Sequence, residues 1–479
     1  MTPARSRWMV CGLVAAAAPL AAQVDRTKPP SLGAPPALRV PAVQETTLRN
    51  GLRLAVVEMH EVPVADLTLI VDAGSVRDPA DLPGLATFTA NMLDEGAGRR
   101  SALELADEAA YLGAQLSTSA GYDVATVSLH VPTRQLEPAL DLLADVALLP
   151  AFADSEIGRQ RDLRKAQLLQ LRDQPVAMAG VAFPAIVFGA AHPYGRPLNG
   201  TDSSTALLSR DRVRRFYEAF YRPDHARLLV VGDITLAAAT RLVEQRFGGW
   251  ARGAAAALPA VPAAPAPAPR TFYLVDKPGA AQSVIRIGHV GVARSTADYF
   301  ALEVLNTILG GSFTSRLNQN LRETHGYTYG AGSAFVMRRL AGPFQASASV
   351  VTAKTDSSLI EFLKELRRIR DEAVPAAELE KAKAYIVLGL PGSFEATADA
   401  ASQYRDVLIY DLPLDYYSGY VAGISRVSAA DVQRVARRYL DPEHFDMVIV
   451  GDRSQIEAGI AALHEGPIVI RDLWGNVVP

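Results

Sequence analysis

At 479 residues, 49% of them apolar, the chain has material for two full-sized cores, because a single core stops growing at roughly 250 residues. Charged residues make up 21% and the formal net charge is −3, so there is no basic excess of the kind a nucleic-acid footprint needs. The only cysteine, Cys11, lies close to the N-terminus; a mature chain that has lost it has no disulfide, thiolate metal site or cysteine nucleophile.

The leading segment has the make-up of a secretory signal. Arg5 and Arg7 precede an apolar run from Trp8 to Leu20 and a small-residue ending, Ala21-Ala22-Gln23, the pattern of an exported chain. The run is shorter than the roughly 20 apolar residues a spanning helix needs. Residues 1–22 are expected to be removed and the mature chain to be exported, to the periplasm. Residues 23–44 carry Pro29, Pro30, Pro35, Pro36 and Pro41 without apolar periodicity and read as an extended leader.

Two halves follow, 45–250 and 271–479, separated at 251–270 by a proline-alanine tract with Pro259, Pro262, Pro265, Pro267 and Pro269. Such a tract continues neither a helix nor a central strand. In the first half, Leu52 to Val57 and Val64 to Val71 read as strands, and a helical pattern follows. The half closes with Tyr221-Arg222-Pro223-Asp224-His225 and the apolar run Leu228 to Val231, stopped by Gly232-Asp233. In the second half, Thr271 to Val275 and Ser283 to His289 read as strands, and a helix is expected from about Ala297 to Leu309, stopped by Gly310-Gly311. That half closes with Pro442-Glu443-His444 and Met447 to Val450, stopped by Gly451-Asp452; Pro to Gly is nine residues in both halves. Repetition of this kind points to one unit used twice. The fold class is therefore α+β: two homologous halves, each a sandwich of helices on a largely antiparallel sheet.

Several landmarks recur in a fixed order. Leu48 to Arg53 leads into the first strand, and Ala73-Gly74-Ser75 closes the second. Gly84-Leu85-Ala86 opens the helix, His192-Pro193-Tyr194-Gly195-Arg196-Pro197 falls late in the half, and Tyr221 to Asp233 ends it. In this order the sequence resembles the insulinase, pitrilysin and mitochondrial-processing-peptidase family over residues 45 to 465.

In catalytic members of that family, the helix after Gly-Leu-Ala carries an inverted zinc motif, His-x-x-Glu-His, whose residues share one helical face. The matching positions here are Thr87, Ala90 and Asn91. The family's further ligand is a Glu about 75 residues on, matched best by Gln167. The eight histidines are never closer than 20 residues, so no helical two-histidine site exists elsewhere. The resemblance thus implies no metal in this chain.

The second half keeps Gly310-Gly311-Ser312-Phe313, then Leu321-Arg322-Glu323-Thr324-His325-Gly326-Tyr327-Thr328-Tyr329-Gly330. This resembles the segment that in the family supplies an Arg and a Tyr seven residues apart to the active site, and Arg322 and Tyr329 keep that spacing. The resemblance implies that the pair holds a peptide backbone and stabilises the oxyanion, with Gly310 to Phe313 contacting substrate. It also implies a zinc-bearing paralogous partner in a heterodimeric metallopeptidase, this chain being inactive alone. The alternative from another class is a non-enzymatic assembly or peptide-binding protein on the same fold.

Overall fold

Twelve strands form two six-stranded sheets in the computed structural model, which describes residues 40–253 and 260–478. The expected signal segment, 1–22, and most of the leader lie outside the described residues, as do 254–259 of the proline-alanine tract. In chain order the first half runs β1 (Val43–Thr47), β2 (Arg53–Glu58), β3 (Val64–Val71), α1 (Leu85–Asn91), α2 (Ala102–Tyr111), β4 (Gln115–Ala120), β5 (Ala125–Pro132), α3 (Leu136–Leu148), α4 (Asp154–Leu171), α5 (Pro175–Phe188), α6 (Asp202–Ala206), α7 (Arg210–Phe220), β6 (Ala226–Gly232) and α8 (Leu236–Phe247).

The second half repeats the order: β7 (Thr271–Asp276), β8 (Gln282–Val290), α9 (Tyr299–Asn306), α10 (Arg316–Asn318), β9 (Thr328–Phe335), β10 (Pro343–Val351), α11 (Thr355–Asp371), α12 (Ala376–Gly389), α13 (Thr397–Ile409), α14 (Tyr420–Arg426), α15 (Ala429–Tyr439), β11 (Asp446–Gly451), α16 (Arg453–Ala461) and β12 (Ile468–Arg471).

Strand order is β1-β2-β6-β3-β5-β4 in one sheet and β12-β7-β11-β8-β10-β9 in the other. Without the edge strands β1 and β12 the two orders are the same, so the repeat read from the Pro-to-Gly spacing is a repeat of structure. Most pairs are antiparallel, but β2 pairs β6 in parallel, and β7 pairs both β11 and β12 in parallel. The strands stopped by Gly-Asp, β6 and β11, are thus central ones, mostly buried along their length.

Each half lends one helix to the other. Helix α5, apolar on all sides from Val176 to Phe188 except at its glycine, packs on β8 and β11, while α13 packs on β3 and β6. Met178, Ala182 and Phe183 share a core with Val284, Val448 and Val450. The exchange explains why β3 is buried on both faces whereas β5 and β4 alternate: only the strands under the borrowed helix lose their second face to packing. It also explains why the described residues cluster as one compact unit despite having two sheets. No helix among the described residues is long and apolar enough to cross a membrane.

Candidate functional site

Gly84 opens α1 at φ 90°, and a Cβ there would lie 2.6 Å from the Gly200 nitrogen, so only glycine lets the helix start against the 199–200 loop. Asp78 caps that start: its carboxylate accepts the Gly84 and Ala86 amides at 2.8 and 2.7 Å. Burial pushes its carboxyl up to about 7, against the pull of those two amides and of Arg196 and Arg164.

Thr87 and Ala90 on α1 are buried, whereas Asn91 and, on α4, Gln167 are exposed. The Thr87 hydroxyl donates to the carbonyls of Leu198 at 2.7 Å and Gly84 at 3.1 Å. The α4 side chain that reaches α1 is Arg164, three residues before Gln167. Its Nη1 donates to the Thr87 hydroxyl and the Gly84 carbonyl, both at 3.0 Å, and its guanidinium lies 5.2 Å from the centre of the Phe88 ring. Burial lowers this guanidinium to about 10. Sequence reading passed over Arg164, one of four basic residues between Arg159 and Lys165. Its only signal was the helical spacing that groups it with Ile157 and Leu168, which are also buried.

In the second half the helix ends at Gly310-Gly311 as expected, but its last turn is a π-turn, Thr307–Gly311, and a second π-turn, Gln319–Thr324, carries Arg322. Such turns widen the helix locally and often mark functional sites. Neither Gly310 nor Gly311 has a positive φ, so the glycines are not a left-handed cap. A Cβ on Gly310 would lie 2.2 Å from the Ser333 nitrogen; the glycine lets the helix end pack on β9. The loop between the π-turns is tied to the same strand, since Asn318 donates to the Phe313 carbonyl at 2.6 Å and accepts the Ala331 amide at 3.2 Å.

The Arg322 guanidinium stacks 4.4 Å from the centre of the Phe313 ring. Its Nη1 is shielded from solvent and lies 3.2 Å from Glu323 Oε1, but is aligned for no hydrogen bond. Tyr329 sits where the β9–β10 register shifts, in a bulge fastened by the Thr328 hydroxyl donating to the Ser349 carbonyl at 2.7 Å. The bulge turns the phenol out to 92% exposure, the re-aiming that bulges provide. Arg322 is thus brought to Phe313, while Tyr329 makes no hydrogen bond or ring contact among the described residues.

His192 is a structural residue: its Nδ1 accepts the Tyr194 amide at 3.1 Å, and burial lowers its pKa.

Residues 53–202 match the family model for insulinase (peptidase family M16), and residues 207–386 match that for the peptidase M16 inactive domain. The chain belongs to the insulinase family. A protein of Mycobacterium leprae described as an uncharacterized zinc protease is 29% identical over 367 residues, 74% of this chain and 81% of the relative. Another of that description, from Bacillus subtilis, is 25% identical over 363 residues, 75% of this chain and 87% of the relative. The crystal structure of a peptidase M16 inactive domain from Pseudomonas fluorescens superposes with a TM-score of 0.80 at 26% identity, covering 86% of this chain and 98% of that one. A Helicobacter pylori protease with TM-score 0.80 at 20% identity, over 86% of this chain and 100% of that one, shares the fold.

The zinc that the family implies does not fit the residues present. Positions 87, 90 and 91 offer a hydroxyl, a methyl and an amide, and the hydroxyl is already committed to Leu198 and Gly84. The neighbouring group is a buried guanidinium, a fixed cation that repels a metal ion. Among the described residues no group of three or more His, Cys, Asp or Glu side chains can hold a metal. This insulinase-family chain is peptidase-like in fold.

Proposed function

We propose that the chain is the non-metal-binding subunit of a heterodimeric zinc metallopeptidase, exported to the periplasm and built of halves 45–250 and 271–479 joined by the linker 251–270. A zinc-bearing paralogous chain carries the metal; this chain presents Arg322 and Tyr329 to the peptide. The observation that carries the reading is an asymmetry. Arg164 closes the locus where the resemblance puts the metal motif, while Arg322, part-exposed, is stacked on Phe313 in a braced segment and the bulge turns Tyr329 outward. The zinc-protease description of its relatives supports the same class of chemistry.

In this reading the Arg322 guanidinium, its plane fixed by Phe313, donates to a peptide carbonyl, and the Tyr329 phenol donates to the oxygen on which negative charge develops. A donor held in place before reaction, as the Phe313 ring holds Arg322, lowers the barrier because it does not reorganise as charge appears. Gly310, Gly311, Ser312 and Phe313 form the neighbouring wall.

The test mixes the purified chain with an exported paralogue whose His-x-x-Glu-His motif is intact. Peptide cleavage should appear only in the mixture, and Arg322→Ala or Tyr329→Phe should lower turnover on the order of 100-fold with pairing unchanged. Near-wild-type turnover for both variants would reduce this chain to an assembly or peptide-holding role.

A further inference from the structure

The element order that repeats between the halves also relates two spaces. Helix α4 is the second helix after the β4–β5 hairpin, and α12 is the second after β9–β10; α1 follows β3 as α9 and its π-turn follow β8. In the first half Arg164 bridges α4 to α1. In the second half no such bridge exists among the described residues. A groove of about 740 Å³ opens between the π-turn and α12, lined by Ile308, Ser312, Ala382, Tyr385 and Leu388. Its volume is that of a small-ligand site.

The groove is continuous with the segment proposed to hold peptide. Ser312 and Thr314 line it, and Phe313 between them carries Arg322. Its walls are mainly apolar, with Tyr385 57% and Leu388 50% exposed. Of its two charged residues, Glu378 is neutralised by a two-point ion pair with Arg316 at 2.8 and 2.7 Å. The other, Lys381, has no ion pair or hydrogen bond among the described residues. An apolar trough beside one uncompensated cation is complementary to a large apolar side chain with a carboxylate next to it.

We infer that this groove is a specificity site of the peptide-holding surface: it takes one large apolar side chain of the bound peptide, and Lys381 pairs with an acidic residue adjacent to it. The inference rests on the peptide-binding reading of Arg322 and names the substrate class, peptides with an aromatic or long aliphatic residue next to Asp or Glu. Ala382 gives the trough its depth, and Leu388 and Tyr385 form its open wall.

The test is binding of fluorescent blocked alanine-glycine peptides to the full chain, carrying Phe-Glu, Ala-Glu or Phe-Lys at the centre. The Phe-Glu peptide should bind about tenfold more tightly than Ala-Glu, the effect of burying one aromatic side chain, and more tightly than Phe-Lys. Leu388→Asp, at an exposed position, should erase the preference for Phe, and Lys381→Glu should invert that between Glu and Lys. A Phe-Glu peptide with benzoylphenylalanine in place of Phe should crosslink to Ile308, Tyr385 or Leu388. Unchanged preference ratios in both variants would overturn the assignment. If the ratios persist while Arg322→Ala weakens all three peptides, the groove falls and the peptide-holding reading stands. If the variants shift the ratios while Arg322→Ala changes nothing, the groove stands and the role of Arg322 falls. Absence of measurable binding by all three peptides overturns both. A change in sedimentation with Leu388→Asp at constant preference makes the groove a subunit contact and ends the proposal.

Discussion

Arg164 donates from α4 to the Thr87 hydroxyl on α1 at 3.0 Å, so the pair of helices that the family resemblance associates with metal binding is locked by a cation in this chain. The same nitrogen holds the Gly84 carbonyl, and the Asp78 carboxylate accepts the Gly84 and Ala86 amides at the start of the helix. The locus is a filled structural joint.

A joint of this kind resists repair of the motif. Restoring the ligands alone, with Thr87→His, Ala90→Glu, Asn91→His and Gln167→Glu, should leave the chain without stoichiometric zinc, because the Arg164 guanidinium stays beside the restored first ligand. Adding Arg164→Leu should permit binding. Metal analysis after dialysis against trace zinc separates the cases, and one tightly held zinc in the four-fold variant would show that Arg164 is no obstacle.

Asp78 supplies a pH dependence with a definite sign. Burial raises its folded carboxyl from the ordinary 3.8 to about 7, so between these values the folded state binds more protons than the unfolded. Its contribution to stability is full below about pH 4 and is lost as pH rises through 7. Relative to Asp78→Asn, the wild type should weaken by a few kcal/mol between pH 4 and pH 7.5. Denaturant midpoints of both proteins across that range give the difference, and parallel curves would show that the carboxyl does not titrate there.

Six of the twelve strands, β2, β3, β6, β7, β8 and β11, were legible because their signals are local. Val64 to Val71 was read to the residue, and the Pro-to-Gly spacing exposed the repeat, since a buried strand ended by Gly-Asp leaves a continuous β-branched run. Arg164 was not legible, because packing alone decides which cation of Arg159 to Lys165 turns inward. The π-turns were not legible either: the apolar face of Phe300, Val304 and Ile308 fits a regular helix, and the close approach of Gly310 to Ser333 is a contact between distant segments. For the exchange of α5 and α13 there was a signal, unused: a helix apolar all round needs cover on every side, and here the second half supplies part of it.

Gly310 and Gly180 should respond oppositely to alanine. At Gly310 the new Cβ would lie 2.2 Å from the Ser333 nitrogen, so the helix end must leave β9. A loss of about 1–3 kcal/mol is expected from such overpacking, along with loosening of the Phe313–Arg322 stack. At Gly180, inside α5, the nearest atom is a side-chain nitrogen of Arg286 at 3.9 Å, and alanine should stabilise the helix by about 0.5–1 kcal/mol. Thermal and denaturant unfolding of the two variants makes the comparison; a neutral Gly310→Ala would mean that the β9 contact yields easily.

Tyr194 offers a test of how the halves are fastened. Its hydroxyl donates to Asp123 at 2.6 Å within the first half and accepts the Leu340 amide of the second half at 3.2 Å. Asp123 accepts the neighbouring Arg339 amide at 3.1 Å, and the Arg338 guanidinium lies over the rings of Tyr122 and Tyr194 at 3.8 and 4.6 Å. The turn between β9 and β10 is therefore held by buried polar groups of the other half. Tyr194→Phe keeps the ring and the stacking but leaves the Leu340 amide and one Asp123 oxygen without their partner, which costs about 1–3 kcal/mol when such groups stay buried. Hydrogen exchange distinguishes loss at this joint from general weakening: the Leu340 amide should exchange faster by a larger factor than amides in the centres of β6 and β11. Equal acceleration everywhere would mean that Tyr194 stabilises the whole fold, without a specific part in joining its halves.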